Sequence, residues 1–187
     1  AFAVSAEAAV FAAQGNKVYP FHLGDMNIVT PANIIEAAHR AMRDGHTGYC
    51  PTYGITRLRE LLADDVNRSH GTSYTADNVA IQPGGKPVIT KFIQATMNPG
   101  DEVLYPSPGY PIYESQVEFH GGTAVPYGYR EGETNFEFNL EELERSITPR
   151  TRLLIVNSPQ NPTGADASDG ELGRLAELAV RNDLMVL

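Results

Sequence analysis

The chain has 187 residues, of which 42% are hydrophobic, and a formal net charge of -9. This composition is typical of a soluble globular protein of about one domain, whose core is large enough to fold without metals or disulfides. The acidic balance argues against a nucleic-acid-binding protein, and the lack of a long apolar run argues against a membrane-spanning one. The single cysteine, Cys50, predicts a free, buried thiol and a cytoplasmic location.

The two ends of the chain indicate a piece of a longer protein. Residues 1–6 are apolar but lack the basic segment of a signal peptide. The chain ends on an apolar run at residues 184–187, of the kind that forms a buried strand. Because chain termini are rarely placed inside a core, we expect the protein to continue beyond Leu187.

The first half of the chain predicts three helices. Thr30 and Pro31 are suited to open the first as its N-cap and first helical residue, and Gly45 ends it. The second helix ends near Gly71, and the first turn of the third holds Pro87. The apolar residues of each helix recur at the three- and four-residue spacing of one face. They are Ile34, Ile35, Ala38, Ala41 and Met42 in the first helix, Leu58, Leu61, Leu62 and Val66 in the second, and Ile89, Phe92, Ile93 and Met97 in the third.

From residue 78 onward, short apolar runs alternate with helical patterns. Strands are predicted at residues 79–81, 102–105, 123–126, 152–156 and 184–187. Helices are predicted at about residues 110–119 and 172–179, together with a short acidic one that Asn139 caps. The run at 152–156 is apolar enough for a strand covered on both faces. The alternation predicts an α/β fold with a parallel sheet and right-handed crossovers.

Ligands of such sheets collect beyond the carboxyl ends of the strands, where a glycine-rich loop lies at residues 82–86 (Gln-Pro-Gly-Gly-Lys). Its glycines let the backbone approach a ligand closely. The helix start that follows offers N–H groups and a positive dipole end, which suits a phosphate. A plain strand-to-helix turn with a solvated Lys86 explains the same residues, so both interpretations stay open.

Two further loops have compositions that do little for a core. Residues 105–113 hold three prolines and display Tyr110 and Tyr113. A rigid tyrosine there can stack on a flat ring, although a surface tyrosine packed on prolines is the simpler explanation. Residues 157–164 place Asn161 before a proline. Its amide can donate to an anionic oxygen, and an ordinary Asn-Pro-x-Gly turn is the alternative.

Five motifs stand in an order and spacing that is highly specific. They are SPQNPTG at residues 158–164, PSPGYPIY at 106–113, QPGGK at 82–86, TGY through LR at 47–59, and LGDMN followed by TP at 23–31. Together they resemble the corresponding loops of the class I/II aminotransferases, the aspartate-aminotransferase-like family of pyridoxal 5'-phosphate (PLP) enzymes. The resemblance runs from about residue 20 to the end of the chain.

The resemblance implies PLP-transferase fold type I, with a parallel-rich sheet flanked by helices. It divides the chain into an N-terminal arm, residues 1–30, and the first part of the PLP-binding large domain, residues 31–187. It also implies a role for each cofactor-binding residue. The amides around Gly85 and Lys86 would hold the cofactor phosphate, Tyr110 would stack on the pyridine ring, and Asn161 would bond its phenolic oxygen.

The resemblance further implies a homodimer with shared active sites that transfers an amino group between an L-amino acid and a 2-oxo acid. Tyr49 would reach the phosphate of the neighbouring subunit's cofactor, and Gly24 would lie beside the substrate carboxylate. The sequence departs from the family where Met26 and Asn27 replace Pro-Asp and where Gly85 replaces Ala or Ser. These departures affect the substrate prediction more than the cofactor prediction.

The family's Schiff-base lysine, the aspartate that pairs with the pyridinium nitrogen and the carboxylate-binding arginine would all follow Leu187. We therefore expect no catalytic residue within the chain, and no activity from the chain alone. Lys86 and Lys91 are poor replacements for the lysine, because one belongs to the phosphate loop and the other to a helix interior.

Two alternatives to an aminotransferase stay open on the sequence. A carbon–sulfur lyase or a cyclising synthase of the same fold shares these loops. A protein of a different class, either a non-catalytic module or one partner of a split enzyme, would need no lysine at all.

Overall fold

In a computed structural model of the chain, the structure describes residues 2–21, 24, 26 and 28–187. Part of the predicted opening motif, namely Leu23, Asp25 and Asn27, lies outside the described residues. The chain divides into two compact units, Ala1–Cys50 and Pro51–Leu187. The predicted boundary between arm and large domain, at residue 30, stays a prediction.

Among its described residues, the first unit contains two helices, α1 Phe2–Ala13 and α2 Ala32–Arg43. Helix α1 was not predicted. Half of its residues are alanine, the strongest helix former, but the others do not gather on one face and so give no periodic signal.

The start of α2 differs from the prediction by one residue. Pro31, not Thr30, occupies the N-cap, and no side chain caps the helix. The ψ angle of 139° places Pro31 outside the helix, and its carbonyl accepts hydrogen bonds from the N–H groups of Ile34 and Ile35 at 2.9 and 3.2 Å. The carbonyl of Pro31 therefore accepts the first helical bonds, which is what defines an N-cap residue.

The second unit is built on a parallel sheet, as predicted. The strands of this unit are β1 Glu102–Pro106, β2 Thr123–Tyr127, β3 Tyr129–Glu131, β4 Phe136–Phe138, β5 Thr151–Leu154 and β6 Met185–Val186. Four of them form the sheet in the order β2-β1-β5-β6, with every neighbouring pair parallel. Strands β3 and β4 form a separate antiparallel hairpin, which was not predicted because three-residue strands carry too short a pattern.

Five α-helices complete the second unit: α3 Thr56–His70, α4 Gly85–Thr96, α5 Ile112–Phe119, α6 Leu140–Arg145 and α7 Asp169–Arg181. The predicted ends of two of them are confirmed. Gly71 closes α3 in the left-handed conformation, and the side chain of Asn139 caps α6 by accepting from the Glu142 N–H.

Hydrophobic cores lie on both faces of the sheet, because successive strand residues point to opposite sides. Val103 of β1 and Leu153 of β5 pack with α4 and α5, through residues such as Ile93. Their neighbours Leu104 and Leu154 pack in a second cluster with residues of α6 and α7. The prediction that the strand at residues 152–156 is covered on both faces is confirmed.

The predicted strand at residues 79–81 is wrong. A short 3-10 helix, Ala76–Asn78, precedes an extended segment that pairs with no strand among the described residues. The carbonyl of Val79 accepts from Nε of Arg59 at 2.8 Å, and the N–H of Ile81 donates to the carbonyl of Tyr53 at 2.9 Å. The polar backbone groups of this segment are thus bound by α3 and the loop before it.

The amino end of the sheet is held by a buried carboxylate. Glu102, only 4% exposed, accepts hydrogen bonds from Thr148 at 2.5 Å, from Arg150 at 2.9 and 2.5 Å, and from Thr151 at 3.4 Å. The Thr148 bond, followed by that of Arg150, lowers the pKa of Glu102 below its usual value despite burial. This cluster fixes the start of β1 against the start of β5, where Glu102 pairs with Thr151.

Candidate functional site

The glycine-rich loop forms the start of helix α4. Gly84 is the N-cap residue, with a φ angle of 95° that disfavours any residue with a Cβ. The helix begins at Gly85, so Gly85 and Lys86 both precede Pro87 in its first turn. The first N–H groups of a helix have no acceptor within the helix, and they carry the positive end of its dipole. The loop therefore presents donors suited to an anion.

An open cleft of about 580 Å³ lies beside this helix start, lined by residues 83–87, Ile89 and Tyr110. A Cβ added to Gly84 or Gly85 would meet no atom within 4 Å, so the backbone of both residues borders open space. The volume lies within the usual range of small-molecule sites. The structure thus brings together three of the predicted cofactor-binding residues: Gly85, Lys86 and Tyr110.

Tyr110 is held in place by its own loop. Its ring meets the buried ring of Tyr113 edge-on, with the centroids 5.9 Å apart and the planes at 89°. One residue earlier, a Cβ on Gly109 would lie 2.0 Å from the carbonyl oxygen of Pro106. Only glycine therefore permits this tight path from β1 to Tyr110.

Asn161 lies in the loop after β5, and it is exposed. Its backbone N–H donates to Oδ1 of Asn157 at 2.9 Å, and the peptide bond between Asn161 and Pro162 is cis. The lining of the cleft does not include Asn161. Its loop nevertheless contacts the Tyr110 loop, through the neighbouring residue Gln160.

Gln160 is the residue of this site that sequence reasoning missed, because it served only as one letter of a motif. Its side chain is buried, with 3% exposed, and Nε2 donates to the carbonyl of Pro108 at 2.7 Å. Its Oε1 accepts from the N–H and the hydroxyl of Thr163, at 2.8 and 2.6 Å. An amide between two prolines of a polar loop gives no sequence signal of burial.

Two buried or half-buried tyrosines, Tyr127 and Tyr129, are neutral at physiological pH. The hydroxyl of Tyr127 donates to the carbonyl of Ile155 at 2.7 Å, which ties the end of β2 to the residue after β5. Burial raises the pKa of Tyr127 far above its usual value and that of Tyr129 to about 12.

The remaining predicted site residues, Gly24 and Tyr49, belong to the first unit, where both are exposed. Their roles toward the substrate carboxylate and the partner's cofactor stay predictions. The neighbouring Cys50 is a free thiol but is exposed, so the prediction of a buried cysteine is wrong. Cys50 lies in irregular chain beyond the end of α2.

Lys91, the other lysine considered for a catalytic role, is engaged elsewhere. Its Nζ donates to Oε1 of Gln82 at 2.5 Å, which ties α4 to the beginning of the glycine-rich loop. No group of three metal-ligating side chains occurs in the part of the chain that the structure describes. Among those residues there is also no helix with the length and apolarity needed to cross a membrane.

Comparison with known proteins matches this chain to one family. The model of the family described as aminotransferase class I and II matches residues 18–187. The chain belongs to this family. The sequence-based assignment to the class I/II aminotransferases is thereby confirmed.

Individual members of the family are similar along nearly the whole chain. The aspartate/prephenate aminotransferase of Thermus thermophilus is 40% identical over 99% of the chain and 48% of its own length. The aspartate aminotransferase of Bacillus subtilis is 33% identical, over 99% of the chain and 47% of its own length. The chain spans about half the length of the curated relatives that it matches.

Solved structures of aminotransferases confirm the predicted fold, PLP-transferase fold type I. The Thermus thermophilus aspartate aminotransferase with maleate has a TM-score of 0.90 at 39% identity, over 99% of this chain and 48% of that one. The alanine aminotransferase of Pyrococcus furiosus has a TM-score of 0.90 at 30% identity, over 96% of this chain and 46% of that one.

Proposed function

We propose that the full-length protein is a PLP-dependent aminotransferase that moves an amino group between an L-amino acid and a 2-oxo acid. One observation carries the proposal: the helix start at Gly85 and the ring of Tyr110, to which the sequence resemblance gives cofactor-binding roles, line one cleft. We assign amino-group transfer, rather than a lyase or synthase reaction, because the similar proteins named above are aminotransferases.

The residues of the cleft fit the phosphate of PLP. A phosphate needs several donors and positive charge. The first-turn N–H groups of Gly85 and Lys86, the helix dipole and the Lys86 ammonium group supply both. The open space beside Gly84 and Gly85 leaves room for a phosphate to approach the backbone. Glycine in place of the family's Ala or Ser at position 85 keeps the N–H donor, so this departure does not disturb the fit.

The ring of the cofactor would lie against Tyr110, whose orientation the edge-on contact with Tyr113 holds. Asn161 would donate its amide to the ring's phenolic oxygen and favour the anionic form of that oxygen. When bound, PLP supplies an electron sink at the carbon from which the amino group leaves. The residues of this chain would bind and orient the ring for that chemistry.

The remaining parts of the active site are proposed from the family alone. Gly24 would lie beside the substrate carboxylate, and Tyr49 would complete the phosphate site of a partner subunit in a homodimer. The Schiff-base lysine, the aspartate and the arginine would follow Leu187, so the chain alone would not transaminate. We further propose a cytoplasmic location and a role in amino-acid metabolism.

The test uses the full-length protein, PLP and a panel of L-amino acids that begins with aspartate, the substrate named for several relatives. We expect a bound-cofactor absorption band and stoichiometric amino transfer to a 2-oxo acid. A carbon–sulfur lyase would instead release ammonia and pyruvate without a 2-oxo acid. A full-length protein with no affinity for PLP would refute the proposal and favour the non-catalytic alternative.

A further inference from the structure

Buried polar side chains occur at opposite ends of the sheet. Among the described residues, those with buried polar or charged side chains are Glu102, Thr151 and Gln160. Glu102 and Thr151 bond to each other at the amino end of β1 and β5. Gln160 lies beyond the carboxyl end of β5, in the loop that carries Asn161. A buried amide needs partners, and Gln160 finds one of them in a different loop.

The side chain of Gln160 joins two loops that are 52 residues apart in sequence. Its Nε2 donates to the carbonyl of Pro108, two residues before Tyr110. Its backbone directly precedes Asn161. The two residues proposed to contact the cofactor ring are therefore tied to each other through this one amide.

The backbone of Gln160 is held independently of its side chain. Its N–H donates to the carbonyl of Ala165, and its carbonyl accepts from the N–H of Gly164, both at 2.7 Å. Backbone hydrogen bonds within residues 160–165 thus hold the loop that carries Asn161. The side-chain Nε2 of Gln160 is therefore available to hold the Tyr110 loop, through Pro108, against the loop that carries Asn161.

We propose that Gln160 is a positioning residue, which sets the separation between Tyr110 and Asn161 through its hydrogen bond to Pro108. The inference rests on the proposed function, because its purpose is to place two ring contacts. An amide is needed at this position, since it must accept from Thr163 and donate to Pro108 at the same time.

Two substitutions distinguish the hydrogen bond that the Gln160 side chain donates to Pro108 from the one that it accepts from Thr163. Gln160→Met keeps the length of the side chain and removes both of these hydrogen bonds. Gln160→Glu is isosteric and, as a carboxylate, still accepts from Thr163 but cannot donate to Pro108. Gln94→Ala is the matched control, because Gln94 is an exposed residue of α4.

The first readout needs no cofactor: hydrogen exchange of the full-length apoprotein at pH 8, followed in peptides over residues 105–113 and 157–165. With Gln160→Glu, we expect exchange in 105–113 to speed up about five- to tenfold, the loss of roughly one hydrogen bond, with little change in 157–165. With Gln160→Met, both peptides should exchange faster, and with Gln94→Ala neither should. Unchanged exchange in 105–113 with Gln160→Met, whose side chain has no N–H or O–H donor at any pH, would overturn the proposal.

The second readout is a double-mutant cycle on PLP affinity in the full-length protein. We expect Gln160→Met to raise the Kd for PLP about fivefold, and less than twofold when Tyr110→Ala is already present, because both act through the same contact. Independent, multiplicative effects would refute a positioning role. A wild-type protein that fails to bind PLP would refute the proposed function instead, while the exchange experiment would still decide whether Gln160 holds the two loops together.

Discussion

The two ends of the parallel sheet differ in whether polar groups of the chain face open space. At the amino end, the carboxylate of Glu102 is buried, and side chains of this chain occupy its oxygens. At the carboxyl end, the helix start at Gly84 and Gly85 borders an open cleft. Polar groups that are hydrogen-bonded within the chain stabilise a fold, whereas donors that face an open cleft are available to bind a ligand. We infer a structural role for the amino end and, on the proposed function, a ligand-binding role for the carboxyl end.

Of the substitutions considered, Glu102→Ala at the amino end of the sheet should cause the largest loss in the free energy of unfolding. Removal of the carboxylate leaves the hydroxyls of Thr148 and Thr151 without their acceptor, while the largely exposed Arg150 can turn to water. We expect a loss of about 2–4 kcal/mol in the free energy of unfolding, measured in urea. The Kd for PLP of the full-length protein should stay within about twofold.

The matched control for this substitution is Glu177→Ala, on the exposed side of α7, which should change stability by less than about 0.5 kcal/mol. If Glu102→Ala abolished PLP binding in a protein that is still folded, the separation between the two ends of the sheet would be wrong.

Gly84→Ala should affect the carboxyl end and cost about 1–3 kcal/mol, because the φ angle of 95° is accessible almost only to glycine. The same substitution one residue later is the control. At Gly85 a Cβ meets open space at the first helical residue, so Gly85→Ala should leave stability equal or raise it by about 0.5–1 kcal/mol. Thermal melting compares the two variants, and equal losses would contradict the assigned helix start.

Tyr110→Ala should weaken PLP binding by on the order of 1 kcal/mol, or about fivefold in Kd, through lost stacking. Tyr110→Phe keeps the aromatic ring and should bind PLP nearly as well as the wild type. Fluorescence titration of the full-length protein gives both constants. An undiminished affinity in Tyr110→Ala would remove this residue from the cofactor site.

Asn161→Ala tests the other proposed ring contact. Loss of a donor to the phenolic oxygen should raise the pKa that is read from the pH dependence of the bound cofactor's absorption. A spectral titration with the wild-type pKa would exclude Asn161 from that contact.

The smallest expected effect is a pH dependence at the amino end. Because hydrogen bonds lower the pKa of Glu102 in the folded protein, its stabilisation is present above the unfolded pKa of about 4.5 and is lost as pH falls through the lower, folded value. Below about pH 4.5, the wild type should therefore lose stability more steeply than Glu102→Gln does. If the acid-denaturation curves of the wild type and Glu102→Gln had the same slope, Glu102 would not have a lowered pKa in the folded protein.

The sequence predicted those features that depend on local patterns. Apolar runs and turn residues located the parallel strands from Glu102 onward, and the glycine-rich motif located the start of α4. The exceptions depend on contacts between distant residues. Arg59 binds the backbone at Val79, where a strand was predicted, and Gln160 reaches Pro108 across 52 residues. Neither partner can be inferred from local periodicity, because the pairs meet only after the chain has folded.

The most direct test of the central claim is a crystal structure of the full-length protein with PLP. We predict the phosphate within hydrogen-bonding distance of the backbone N–H groups of Gly85 and Lys86, with the ring against Tyr110 and its phenolic oxygen within reach of the Asn161 amide. A PLP molecule bound away from the cleft at the start of α4 would contradict the account.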